Sequence, residues 1–434
     1  MYPVFKELGI ADAIKFHYPE RFRQISMNGR ILTVYTDIDK FELELLRLFP
    51  EEKTAIVNFC RLIFWYTKFN PPMDGDFGSF GIASFLKMLP FMPSFFLLTK
   101  ISFKRFLTKR FRNPDLIEML FQMFPVVDLP ALMPVMAFAF FNRKEGGYPL
   151  GGSLNFAHAI EKKYLDLGGS LFCNSKVQKI LVENNCAKGI VLENGKKILG
   201  DIVISACDGK TTLFSLLENR SIPKKLLQLY QKPSLWPPLI CISLGVNRDV
   251  SESVELNNIH LKTPVVICGK KISWFYFAHY CHDSHFCPKN KSVITIQIET
   301  DYDYWEKISN NKNDYQKEKQ SVLTWAIATL EEQFPGIKEQ IEVTDIATPI
   351  SWVKYTGNWQ GSYEGWLPTK KLFGKVLPKK LPNLENFWMT GQWVFPGGGV
   401  PMCMVQGKNI MRMIVKNEKI KGRRAEEILQ PDMA

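Results

Sequence analysis

Thr390-Gly391-Gln392-Trp393-Val394-Phe395-Pro396-Gly397-Gly398-Gly399-Val400-Pro401 is the stretch on which the reading of this chain turns. A short apolar run, 386–390, precedes it, and helical apolar spacing resumes from about 401 to 415. The expected unit is strand, glycine loop, helix. Glycines let a backbone come close to a ligand, and a helix start offers free N–H groups and a positive dipole end. Pro401 suits a first helical turn. The same pattern also serves as a tight connection with no ligand. Gly397-x-Gly399 is followed by Met402 rather than glycine, so the dinucleotide fingerprint is incomplete.

Working upstream, Gly151-Gly152-Ser153 opens a helix running through Leu167, and Gly168-Gly169 stops it. Short strands are expected over 170–174, 177–183, 188–193 and 196–199, with Asn194-Gly195 as a two-residue hairpin turn. The continuous apolar run 201–206 reads as a buried parallel strand. Residues 235–355 read as a mainly antiparallel sheet, with strands over 239–246, 265–268, 273–280, 292–300 and 342–352 and a helix over 315–333. The segment 302–319 is polar and is expected on the surface. Residues 1–145 read as mostly helical, with helices either side of Phe49-Pro50 and a loop at Asp74–Ser79.

The chain has 434 residues, 46% hydrophobic and 23% charged, which excludes a disordered tail or a collagen-like repeat. Its net charge is +12, and seven basic residues lie between Ser84 and Arg112 with no acidic one. That segment is also apolar, but Pro90 and Pro93 break it, so it is too short and too kinked to span a bilayer. It suits a helix lying in a membrane interface, with Phe103 and Phe106 dipping in and Lys100, Lys104, Arg105 and Lys109 on phosphates. A core helix with a solvated basic face is the plainer alternative. One Phe-rich patch without a recognisable binding module gives no reason to expect nucleic acid as a partner. Nine cysteines without CxxC spacing, and no apolar leader in MYPVFKELGI, point to free and mostly buried thiols in a reducing, cytoplasmic setting.

Several segments, in this order, resemble the FAD-dependent phytoene desaturase, carotenoid isomerase and retinol saturase family. They are Leu8-Gly9-Ile10, Tyr148-Pro-Leu-Gly-Gly-Ser with its following Leu-Gly-Gly, and Ser175-Lys-Val177-Gln-Lys-Ile180. Asp201-Ile-Val-Ile-Ser-Ala-Cys-Asp208, Lys354–Tyr363 and the Gly391–Pro401 loop complete the set. The resemblance implies FAD as cofactor and an α/β fold with a discontinuous FAD-binding domain of the glutathione-reductase type. To this it adds an α+β substrate domain with a mainly antiparallel sheet. On that reading 1–145 is the helical part of the substrate domain, with a membrane-facing segment at about 84–112. Residues 146–217 and 386–434 are FAD-domain segments, and 218–385 is the substrate-domain sheet with its helices.

The resemblance also implies site residues. Gly391, Gln392, Pro396, Gly397, Gly398, Gly399, Val400 and Pro401 would meet the ribityl chain and ring of the flavin, and the main chain of Val177 the adenine end. Trp359, Gly361, Ser362 and Tyr363 would lie on the substrate side, although ordinary packing accounts equally for the two aromatics. Many relatives carry an acidic residue at the position of Gln392, whose amide can still bond a ribityl hydroxyl. The implied activity is that of an oxidoreductase or redox-assisted isomerase, passing a hydride between flavin N5 and a carbon of a carotenoid-like or isoprenoid polyene. No catalytic side chain stands out.

The family's opening strand–GxGxxG–helix unit is absent from these residues; Gly75, Gly78 and Gly81 have the wrong spacing. A separate chain could supply it. Two other readings stay open: a non-catalytic, membrane-associated lipid-binding remnant, and a flavin amine oxidase-like enzyme. His279-Tyr-Cys281-His282-Asp283-Ser-His285-Phe-Cys287 has metal-ligand residue types but sits between two strand patterns without a second ligand pair, so no metal is expected.

Overall fold

Leu239–Val246 alternates buried and half-buried residues along its whole length, and it seeds a seven-stranded sheet. The computed structural model describes residues 2–69 and 86–420. In it the sheet runs in the order 341–347, 239–246, 292–299, 270–279, 256–267, 21–27, 30–35. Every pairing is antiparallel except one: Asn257, Asn258 and Ile259 pair in parallel with Gln24, Ile25 and Ser26. The expected antiparallel sheet is therefore present, extended by a hairpin from the N-terminal region, which was expected to be mostly helical. Asn28 and Gly29 turn that hairpin with φ of 51° and 75°.

Two apolar layers cover this sheet. Ile240, Ile242, Leu244, Phe275, Ile294 and Ile296 share a core with Val322, Leu323, Ala326 and Leu330 of the helix Lys312–Gln333. Trp305, on the helix Tyr302–Ser309, is fully buried in the same core. That corrects the surface expectation for 302–319: the segment is polar overall but keyed in by one large indole, which donates to Thr300 Oγ1 at 3.0 Å.

Ile25, Leu32, Val34 and Trp274 pack against the helices Ile38–Leu48, Lys53–Tyr66, Phe103–Arg110, Pro114–Phe121 and Leu132–Asn142. Asp37 caps the first of these by accepting from the N–H groups of Asp39 and Lys40, as predicted for a helix before Phe49-Pro50. The loop expected at Asp74–Ser79 lies outside the described residues.

The remaining segments form a smaller unit. Val177–Glu183, Cys186–Leu192 and Lys197–Leu199 make an antiparallel sheet around the Asn194-Gly195 turn. Val203–Ser205 pairs in parallel with Phe387–Met389. The helix Gly152–Asp166 begins and ends as its glycines require. Residues 170–174, expected as a strand, are not one; Leu171, Phe172 and Cys173 stand exposed. All nine cysteines are free thiols, but only Cys60 and Cys268 are buried and Cys173 and Cys207 are exposed, fewer buried than expected. Among the described residues no helix is long and apolar enough to cross a membrane.

Candidate functional site: the glycine loop at the ends of two parallel strands

The two parallel strands point their carboxyl ends the same way, and both leave the sheet into loops. Thr390 N–H donates to the Ser205 carbonyl at 2.9 Å, which keeps those loops side by side. Crevices at the carboxyl ends of parallel strands are where α/β sheets bind ligands. One loop is Ala206-Cys207-Asp208. The Asp208 carboxylate is buried and accepts from Thr211 N–H at 2.7 Å and Trp359 N–H at 2.9 Å. Burial pushes its pKa up, and those backbone donors pull the other way.

The other loop is the glycine segment. It crosses a single turn, Gln392–Val394, and enters the helix Val400–Ile420. Gly391, Gly397, Gly398 and Gly399 have φ of 85°, 107°, 48° and 80°, backbone that L side chains avoid. A Cβ on Gly398 would lie 2.6 Å from the Glu364 carbonyl oxygen, so the segment Tyr363–Gly365 lies directly against the loop. Ser362 Oγ donates to the Gly365 carbonyl at 2.9 Å, and Trp236 N–H donates to the same oxygen at 3.0 Å.

Polar atoms around this loop lack partners. The Thr390 hydroxyl and the Trp393 and Trp236 indole N–H groups are buried without a hydrogen bond, as is Oε1 of Gln406 on the last helix. Buried donors and acceptors are rarely left so, and clustered exceptions mark a place for a polar ligand. Glu364 adds a half-buried carboxyl whose pKa burial raises to about 7. A Cβ on Gly399 would lie 3.7 Å from its Oε1. The sequence reading passed over Glu364, although it directly follows the Gly361–Tyr363 candidates. The donor set suits a polar, partly anionic cofactor: exposed helix start at Val400, backbone bent to permit close approach, and unpartnered hydroxyl and indole groups.

The expected site residues are distributed as follows. Gly391 to Pro401 form one continuous loop and helix start. Gln392 Nε2 is engaged with Asn358 Oδ1 at 3.4 Å. Val177 packs against the cluster that holds Trp393 and Val394. Trp359 joins Tyr230, Trp366 and Trp393 in an aromatic group, with Lys210 Nζ 4.2 Å from its ring centroid. Gly361 and Ser362 are buried in the turn itself, where the Ser362 hydroxyl is engaged with the Gly365 carbonyl. Tyr363 is exposed, its ring tilted against that of Trp236 with centroids 5.6 Å apart.

On the basic segment, Lys100, Lys104, Arg105 and Lys109 are exposed as expected. Phe103 and Phe106 are not available to a membrane: both are buried in the helical core, because the apolar stripe of their helix faces inward.

The chain matches curated relatives over most of its length. It is 28% identical to the carrot (Daucus carota) prolycopene isomerase over 285 residues, 60% of this chain and 43% of that one. It is 25% identical to a prolycopene isomerase of an Oncidium hybrid over 424 residues, 89% of this chain and 66% of the relative. The 4,4'-diapolycopene oxygenase of a Methylomonas species is 24% identical over 430 residues, 94% of this chain and 84% of that one. The chain thus spans less than two thirds of the length of the plant relatives. No family model matches it.

Among solved structures, an oxidoreductase from Methanosarcina mazei superposes with a TM-score of 0.56 at 14% identity, covering 95% of this chain and 85% of that one. A putrescine oxidase variant gives 0.57 at 12% identity, covering 96% and 85%. The fold is accordingly that of these oxidoreductases. The chain is a homologue of the prolycopene isomerases and of the bacterial diapolycopene oxygenases and diapophytoene desaturases.

Proposed function

We propose that this chain supplies the substrate-binding part and the 146–217 and 386–434 flavin-contacting segments of an FAD-dependent oxidoreductase. Its substrate would be a carotenoid-like or isoprenoid polyene, and its reaction desaturation, saturation or redox-assisted isomerisation. The supporting observation is the Gly391–Val400 loop, with unpartnered polar atoms on Thr390, on Trp393 and, on the helix that follows it, Gln406, in a chain that aligns with prolycopene isomerases over 89% of its residues. A flavin bound there supplies a ring that takes up and returns a hydride.

The residues present account for the rest. The Gly397 and Gly398 N–H groups are taken by the Trp366 and Phe395 carbonyls, so it is the N–H groups at the start of the final helix that favour negative charge on the bound group. Val177 would meet the adenine end. Glu364, protonated up to about pH 7, holds a proton beside the loop. The apolar sheet and helices would bury the polyene at roughly 25 cal/mol per Å2.

The small unit also supports a missing neighbour. A two-stranded parallel sheet seldom stands alone, and parallel strands are normally covered on both faces. Here Ile204 on the edge strand is exposed, and the helix Gly152–Asp166 buries none of its residues. Leu154, Leu165, Leu171 and Phe172 stand in solvent nearby in sequence. A strand–GxGxxG–helix unit, on the same polypeptide or on a separate chain, would cover these surfaces and bind the FAD pyrophosphate. Joining such a unit to the chain is expected to yield a yellow protein with one flavin, whose absorbance bleaches or whose product changes when a polyene is added. A folded but colourless product would overturn the proposal.

Membrane docking belongs to the same reading, with different side chains from those first expected. Leu86, Leu89, Phe96 and Leu97 are exposed, with the exposed Lys87 and Lys100 in the same segment. Trp65, also exposed, lies 4.9 Å from the Phe91 ring beneath them. Apolar tips flanked by lysines suit an anionic lipid surface. Changing Phe96 and Leu97 together to Asp is expected to weaken binding to anionic vesicles at least tenfold, roughly 1.4 kcal/mol, without unfolding the protein. Unchanged vesicle sedimentation would remove the membrane assignment.

A further inference from the structure

The histidine-rich hairpin tip 279–287 does not act as one cluster. His279 bonds the Ser253 carbonyl and His285 bonds Asp283, while Cys281 and Cys287 make their own contacts. His282 alone turns toward two residues far away in sequence. His17 arrives on the short strand Phe16–His17, paired with Tyr148–Pro149. Glu255 directly precedes the strand Leu256–Ile267. Glu255 Oε1 lies 2.6 Å from His17 Nε2 and 3.5 Å from His282 Nδ1, and the two imidazoles stack at 4.3 Å. One ligand atom from each residue lies within 4.8 Å of the others.

Hydrogen bonding within the protein leaves this group unsatisfied. His282 Nδ1 and Glu255 Oε2 are buried with no hydrogen-bond partner. The His282 side chain is only 8% exposed, and both ion pairs of Glu255 are to histidine. Two imidazoles and a carboxylate are a ligand set for a first-row divalent ion, with a solvent position left over. Ligand bonds of about 2.0–2.1 Å put tetrahedral ligand atoms roughly 3.3 Å apart. The His282–Glu255 spacing is near that value, and the His17–Glu255 pair would need to open slightly.

We propose that His17, Glu255 and His282 bind one divalent transition-metal ion of the zinc class. The ion would clip the N-terminal strand pair onto the hairpin tip of the large sheet. Asp283, next to His282, already bonds the Gly151 N–H on the same side, so the clip would set the start of the helix Gly152–Asp166.

The test uses tag-free, chelator-treated protein titrated with Co2+ and then Zn2+. One equivalent of Co2+ giving visible d–d absorption, displaced by Zn2+ and accompanied by a higher thermal midpoint, is expected. His17→Asn and His282→Asn should each weaken binding more than about 100-fold, beyond the effect of losing an outer-shell partner. His285→Asn should bind as the parent does. Circular dichroism of each variant separates ligand loss from unfolding, and the His17 change, near the surface, keeps the test valid should His282→Asn not fold. Absent d–d bands with an unmoved thermal midpoint, or equal affinity in a folded His17→Asn protein, would overturn the site.

Discussion

Gly398→Ala is expected to destabilise the chain by about 3 kcal/mol and, in the chain joined to a strand–GxGxxG–helix unit, to abolish the flavin retention proposed above. Two costs combine. The residue sits at φ 48°, where a side chain costs roughly 1–2 kcal/mol. Its new Cβ would meet the Glu364 carbonyl oxygen at 2.6 Å and the Glu364 Cβ at 3.1 Å. The oxygen is backbone, fixed by the turn whose Gly365 carbonyl accepts from Ser362 and Trp236, so it cannot swing away. Overpacking of that kind adds about 1–3 kcal/mol. Gly399→Ala, at φ 80°, is the nearer control. Its Cβ would meet only the Glu364 Oε1, the end of a flexible side chain, at an ordinary 3.7 Å, so the clash is removed and the loss should be smaller. Denaturant unfolding and retained flavin absorbance give both readouts. Equal stability of Gly398→Ala and the parent would mean the loop is loose, and the ligand-cradle reading would fail with it.

Much of this architecture is legible in the sequence because local chemistry dictates it. The Leu239–Val246 strand announces itself by alternation, and the helix Gly152–Asp166 by glycines at both ends. The glycine loop is readable because only glycine accepts its backbone angles. The hairpin Arg21–Tyr35 also has a local signal: Asn28-Gly29 is the same turn dipeptide as Asn194-Gly195, here between two alternating runs. Its parallel junction with 256–267 is a tertiary choice that no local pattern encodes.

The site was harder to read for the same reason. His17, Glu255 and His282 come together only because the N-terminal strand docks beside the hairpin tip. Phe103 and Phe106 illustrate the opposite failure. Their helical spacing was correct, but periodicity says which residues share a face and not whether that face meets lipid or protein.

Glu364→Gln is expected to remove a loss of stability that the parent suffers as pH rises from about 4.5 to 7. Burial raises the folded pKa of Glu364 to about 7 from an ordinary 4.5, and no cation beside it lowers it again. Between those values the folded state holds a proton that the unfolded state has released. The contribution is therefore full below pH 4.5, shrinks as pH rises toward 7 and is constant above that. At roughly 1.4 kcal/mol per unit the change is at most about 3 kcal/mol, less to the extent that water and the nearby helix N-terminus stabilise the anion.

Glutamine keeps the shape and cannot ionise. The variant should match the parent near pH 4.5 and exceed it in denaturant midpoint at pH 8. A variant less stable at pH 8 would mean that the ionised carboxylate has partners in the folded protein. The functional counterpart follows from position. If Glu364 holds the proton needed beside the glycine loop, flavin reduction by substrate should inflect near pH 7 in the parent and lose that inflection in Glu364→Gln. A stability change without a kinetic one would make Glu364 a packing residue and leave proton transfer to solvent.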